Sequence, residues 1–138
     1  MILIREVPLP PLQAALFKAL KEAQDTPIYG GDAPEGATLP YITFGATTAK
    51  PAVNKTVEMW TASIRLEVWG SDAQRKAVND IINDLVTCST YYGEKLELEN
   101  FEVINCEVDL VETFPETTTG YHGTISLLFT LNRKYKEE

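Results

Sequence analysis

Two hydrophobic periods alternate along this chain, and together they exclude most folds before any residue is asked about chemistry. Between Trp60 and Val68 the apolar residues Trp60, Ala62, Ile64, Leu66 and Val68 take every second position, with Thr61, Ser63, Arg65 and Glu67 between them. A pleated strand sorts this pattern onto two faces, whereas a helix over the same window would scatter its apolar residues around all sides. Near the start the spacing is different. Leu9, Leu12, Leu16, Leu20 and Ala23 recur at three and four, with Lys18, Lys21 and Glu22 on the other side. That spacing predicts an amphipathic helix over about Pro10 to Gln24, entered through Pro8, Pro10 and Pro11 and stopped at Thr26-Pro27.

The remaining segments follow one period or the other. Ile28-Tyr29 suits a brief extended piece, and Gly30 to Gly36 is turn chemistry throughout. From Pro40, Ile42, Phe44 and Ala46 alternate with Tyr41, Thr43 and Thr47, which predicts a strand with the first set buried; Lys50 to Lys55 is then a loop or the arm of a long hairpin. Ser71 opens a second helix with Gln74 three residues on, the spacing of a capping box. Ala77, Val78, Ile81, Ile82, Leu85 and Val86 form its apolar face, and Gly93 is expected to end it in the left-handed conformation.

Two strands close the chain. Ile104, Cys106, Val108 and Leu110 are expected on a core face, against Asn105, Glu107 and Asp109 on a wet one. After a turn at Pro115 to Gly120, Gly123, Ile125, Leu127, Phe129 and Leu131 repeat the alternation, so these two strands should form an antiparallel hairpin. The expected order is helix, short strand, strand, strand, helix, short strand, strand, strand. Half-buried strands need cover on one side only, and two amphipathic helices supply that much. The fold class is therefore α+β: a two-layer sandwich, a mainly antiparallel β-sheet with two helices packed on one face, in a single domain over residues 1–138.

Charge narrows the partners. Twelve Lys plus Arg against twenty Asp plus Glu leave a net charge of -8, a poor basis for a broad phosphate-contacting surface, so no specific nucleic-acid binding is expected. The acids are concentrated: from Glu94 to Glu116 there are eight of them and one base, Lys95. Glu107 and Asp109 are expected to share a solvent face, a stripe that repels itself unless it is solvated or met by a partner's Lys or Arg. No apolar run approaches the roughly 20 residues of a membrane span, and Met1 to Ile4 is too short for a signal segment, which points to no membrane and to the cytoplasm. Cys88 and Cys106 neither require a disulfide nor stand at zinc-ligand spacing.

Catalytic candidates are few. His122 is the single histidine and stands at the start of the last strand, on its outward side, with no Gly-x-Ser-x-Gly nearby; a structural or interface role suits it better than a base. Gly30-Gly31 lacks the Lys-Ser/Thr of a phosphate loop and reads as a turn. No pattern calls for a cofactor or a metal. Trp60 and Trp69 bracket one strand on opposite faces, so Trp60 belongs with the core and Trp69 with a rim or contact patch.

Read in order, these elements resemble a family. The amphipathic N-terminal helix, Ile28-Tyr29-Gly30 leading through a Pro/Gly loop to Leu39-Pro40-Tyr41-Ile42-Thr43-Phe44-Gly45, the strand ending Leu66-Glu67-Val68-Trp69-Gly70-Ser71, the helix after it and the closing Tyr121-His122-Gly123-Thr124-Ile125-Ser126-Leu127-Leu128-Phe129 are similar to those of the tail-completion, or tail-terminator, proteins of long-tailed bacteriophages and prophages. The resemblance implies a structural protein, not an enzyme, that forms a ring, typically a hexamer, on the head-proximal end of the tail tube. Its partners would be itself, the tail tube protein and the head-tail connector, assembled in the host bacterial cytoplasm and carried in the virion tail. By position it assigns contacts to Asp32, Pro34 and Glu35, to Lys50, Asn54 and Lys55, and to the turn with Glu116 and Thr118; Trp69 joins them as an exposed aromatic. DNA would pass through the bore, and Glu107 and Asp109 would face either that bore or a basic patch on a neighbour. Competing readings are a head-side neck adaptor or other minor tail protein, a small enzyme using His122, and a module binding a small ligand.

Overall fold

The computed structural model describes residues 6–52 and 58–134. Helix α1 spans Leu9–Ala23, strand β1 Ile28–Tyr29, β2 Tyr41–Ala52, β3 Met59–Gly70, helix α2 Arg75–Gly93, β4 Phe101–Glu116 and β5 Gly120–Arg133. The sheet has five strands in the order β1-β2-β3-β5-β4. Every pairing is antiparallel except the two-residue parallel contact of β1 with β2. Both helices cover one face, and the α+β sandwich read from the sequence is the fold observed.

Each helix forms where its spacing predicts. Pro10 and Pro11 lie in the first turn of α1, where the missing N–H groups have no intrahelical acceptor to lose. Leu12, Leu16 and Leu20 are fully buried beneath it. At its end the Gln24 side chain both donates to the Thr26 carbonyl (2.8 Å) and accepts from the Thr26 N–H (2.9 Å), closing a local ring where the helix stops. Before α2, the Ser71 N–H donates to Gln74 Oε1 at 2.9 Å, as the capping spacing implies, and a 3-10 turn over Asp72–Gln74 precedes the α-helix. Beneath α2, Val78, Ile81, Ile82 and Leu85 meet Ile64, Leu66 and Val68 of β3 and Ile125, Leu127 and Phe129 of β5 in one core.

Several expectations are corrected, and most share one cause. The β2–β3 ladder is irregular between Phe44 and Thr47, so Ala46, expected inside, is exposed. In β4 the ladder shifts twice, between Val103 and Asn105 and between Val108 and Leu110. Each bulge adds one unpaired residue and reverses the inside-outside phase beyond it. Phe101, Val103 and Cys106 are buried, whereas Ile104 at 45% and Leu110 at 48% exposure stand outside the core. β4 also runs on through Pro115 to Glu116, so the turn to β5 is only residues 117–119. The second short strand is reduced to a single bridge between Glu97 and Glu102.

Gly93 ends α2 for a different reason from the expected one. Positive φ occurs at Gly36 and Gly120, and Gly93 is not among these residues. A Cβ at Gly93 would overlap Cys106 Sγ and lie 2.7 Å from Cys106 Cβ. Glycine is required there because the helix end closes directly onto β4.

Candidate assembly surfaces

The face of the sheet turned away from the helices is built in rows that only strand pairing can assemble. Tyr41 of β2 stands opposite Trp69 of β3, Trp69 opposite His122 of β5, and His122 opposite Phe114 of β4. Thr43, Glu67, Thr124 and Glu112 form the next row. Trp69 Nε1 donates to Thr43 Oγ1 at 3.0 Å, which fixes the indole across the strand boundary.

His122 is 3% exposed although it belongs to this outer face. Its ring is 3.9 Å from that of Trp69 and 5.2 Å from that of Phe114, centroid to centroid. Nε2 faces Glu67 Oε1 at 3.5 Å, and Nδ1 is buried without a partner. Burial pushes its pKa down, against the pull of Glu67 and Glu116, so the ring is neutral at pH 7. It packs between these aromatic neighbours with its plane tilted by 48° to the Trp69 ring and 63° to the Phe114 ring. Among the described residues no group of three or more His, Cys, Asp or Glu side chains is placed to hold a metal ion.

The hairpin tip is stapled by Glu116. Its carboxylate accepts from the Thr118 N–H (2.9 Å), the Thr118 hydroxyl (2.8 Å) and the Thr119 N–H (3.2 Å). The Thr118 backbone bond, with the hydroxyl bond behind it, holds the carboxyl below the usual glutamate range. Behind the tip, Gly120 at φ 124° packs against the Ser71–Asp72 backbone, and a Cβ there would overlap the Asp72 nitrogen. The Arg75 guanidinium lies 5.0 Å above the Tyr121 ring. The hairpin and the start of α2 are thereby joined.

The residues singled out in the sequence divide among three places. Trp69, Glu116 and Thr118 lie at one end of the sheet, where the loop with exposed Asp32, Pro34 and Glu35 enters β2. Gln74 Nε2, donating to the Leu39 carbonyl at 3.2 Å, ties that loop's end to the same corner. Lys50 is exposed toward the opposite end of β2, nine positions from Tyr41 and so about 30 Å away along the strand. Asn54 and Lys55 lie outside the described residues. Glu107 and Asp109 are both exposed, as expected, and they lie on β4, the edge strand of the sheet. Asp109 falls at the second bulge, and beyond it Leu110, Glu112 and Phe114 turn to the outer face beside Glu107. Exposed Leu110, Val111 and Phe114 escaped the sequence reading because alternation taken in phase from Cys106 assigns Leu110 and Glu112 to the core side.

A cleft of about 340 Å³ lies between the helices, lined by Ala15, Lys18, Tyr92 and Leu96 among others. No helix among the described residues is long and apolar enough to cross a membrane.

The family model for tail completion protein gp17 matches residues 11–129, and the chain belongs to that family, as a structural component of phage tails. Among solved structures, a chain of the virion of a native gene transfer agent particle superposes with a TM-score of 0.74 at 16% identity, covering 92% of this chain and 97% of that one. That likeness establishes a shared fold. No curated protein matches in sequence.

Proposed function

We propose that this tail completion protein forms a ring, six copies in the reading by resemblance, on the head-proximal end of the tail tube, where it ends tube growth and supports head joining. The observation that carries the reading, beside the family, is the edge strand β4. It bears Glu102, Glu107, Asp109, Glu112 and Glu116 without one basic residue, and it leaves Leu110, Val111 and Phe114 exposed. Apolar side chains at an unpaired edge are a liability in a free monomer and useful in an assembly.

A terminator must present one surface that fits the last tube ring and another that refuses a further tube subunit. The corner formed by Asp32, Pro34, Glu35, Trp69 and Thr118 suits one such surface; Lys50, with Asn54 and Lys55 beyond it in sequence, suits the other. Acids lining a bore would keep DNA phosphate from sticking. The protein works by fit and makes or breaks no bond: His122 is too enclosed to meet a substrate, and its partners are aromatic rings and one carboxylate. Assembly would take place in the host cytoplasm, and the product would remain in the virion tail.

Negative-stain imaging after mixing the protein with tail tubes tests this reading. Rings on one tube end only are expected; decoration along tubes, or none, would reject it. A phage lacking the protein should make over-long tubes. Finished tails detached from full heads would instead favour the neck-adaptor alternative.

A further inference from the structure

We propose that copies of this chain join edge to edge, the open edge of β4 in one copy pairing antiparallel with the open edge of β2 in the next, so that one sheet continues from subunit to subunit. The proposal rests on the ring reading and specifies the contact that builds the ring.

Both edges are available. Among the described residues no strand pairs with β2 beyond Thr43 on the side away from β3, and β4 has a single bridge, at Glu102, on the side away from β5. Each therefore presents a row of free backbone N–H and C=O groups. Pro51 and Pro115, which have no N–H to give, stand near the ends of these strands and leave the lengths between them open.

Strand direction fits as well. From β2 through β3 and β5 to β4 every step is antiparallel, so β2 and β4 of one copy run in opposite directions. Two copies set side by side in the same orientation bring β4 against β2 in the antiparallel sense, the more stable pairing.

Charge selects this pairing over the symmetric one. Two β4 strands edge to edge would set the Glu102, Glu107, Asp109, Glu112 and Glu116 column against itself, which like-charge repulsion across a strand pair disfavours. β2 carries no acid from Tyr41 to Ala52 and contributes Lys50. The β4–β2 contact therefore joins an acidic edge to an acid-free one and covers exposed Leu110 and Phe114. A contact between two different patches of one molecule propagates head to tail and closes when the rotation per step completes a turn; the fixed hand of strand twist supplies a rotation.

Complementary charge reversal tests the contact. One variant, Glu107→Lys/Glu112→Lys, makes the β4 edge basic; a second, Thr48→Glu/Lys50→Glu, makes the β2 edge acidic. All four positions are exposed, and unchanged circular dichroism checks the fold. Assembly is read by native mass measurement of the full chain, alone and with tail tubes. Each variant alone should assemble at least about tenfold more weakly than wild type, while an equimolar mixture should recover, because each variant's β4 then meets the other's β2. Normal assembly of either variant alone, or no recovery on mixing, overturns edge pairing while leaving a ring intact. Failure of the wild type to assemble in both settings overturns the ring reading itself. Hydrogen exchange on wild type needs no variant: amides within residues 44–52 and 103–114 should gain protection on assembly, and protection gained only elsewhere would refute the contact.

Discussion

The indole of Trp69 lies over the imidazole of His122, ring centroids 3.9 Å apart and planes tilted by 48°, on the sheet face that the helices leave uncovered. With Phe114 at 5.2 Å on the other side, the pair gives an outer sheet face a small hydrophobic core of its own. Trp69→Ala removes one wall of it and the hydrogen bond to Thr43. The expected loss is about 2–3 kcal/mol, below that of a fully buried aromatic because Trp69 is half-buried. Urea unfolding measures it.

His122 makes stability depend on pH in one direction. Its ordinary value is 6.5, near that of the unfolded chain, and burial lowers it in the folded protein. Below about pH 6.5 the unfolded chain takes up a proton that the folded chain refuses, so stability is full above that value, falls on acidification, and levels off once pH passes the folded pKa. Thermal melts of wild type should fall between about pH 7 and 5.5, and His122→Gln should flatten that part of the curve.

Gly93→Ala should cost about 1–3 kcal/mol, since the new methyl meets Cys106 where α2 closes on β4. In a double-mutant cycle Cys106→Ala should recover part of that loss, which would identify the clash as the cause. The Cys106 thiol, pushed up to about 12 by burial and then by Glu94 and Glu107, should not react with a thiol reagent at pH 8 until the protein unfolds.

The bulges in β4 predict a contrast between neighbouring aliphatic residues. Ile104→Thr and Leu110→Thr should each change stability by no more than about 0.5 kcal/mol. Leu127→Ala, in the core of β5, should cost about 2–5 kcal/mol. Equal losses at Leu110 and Leu127 in denaturant titrations would place Leu110 inside.

Glu116→Ala should loosen the hairpin tip while the core stays intact, because its carboxylate holds the Thr118 and Thr119 amides. Faster hydrogen exchange at those two amides, with unchanged exchange in β3, is the expected result. In wild type the same loosening should begin only below the ordinary glutamate range, since the folded carboxyl titrates low.

What the amino-acid order determined by itself was the local set: two helices by three-and-four spacing, strands by alternation, the capping pair Ser71 and Gln74, the acids crowded onto β4, and hence an α+β sandwich with the helices on one side. Those features depend on neighbours within a turn or a pleat, so residue type and spacing carry them. The tertiary structure alone decided the phase of β4 beyond its bulges, the use of Gly93 as a contact point, and the row Tyr41, Trp69, His122, Phe114. A bulge arises from how one strand fits its partner, and a cross-sheet row joins residues far apart in the chain. Neither leaves a periodic trace, because the energies that set them come from strands meeting in space.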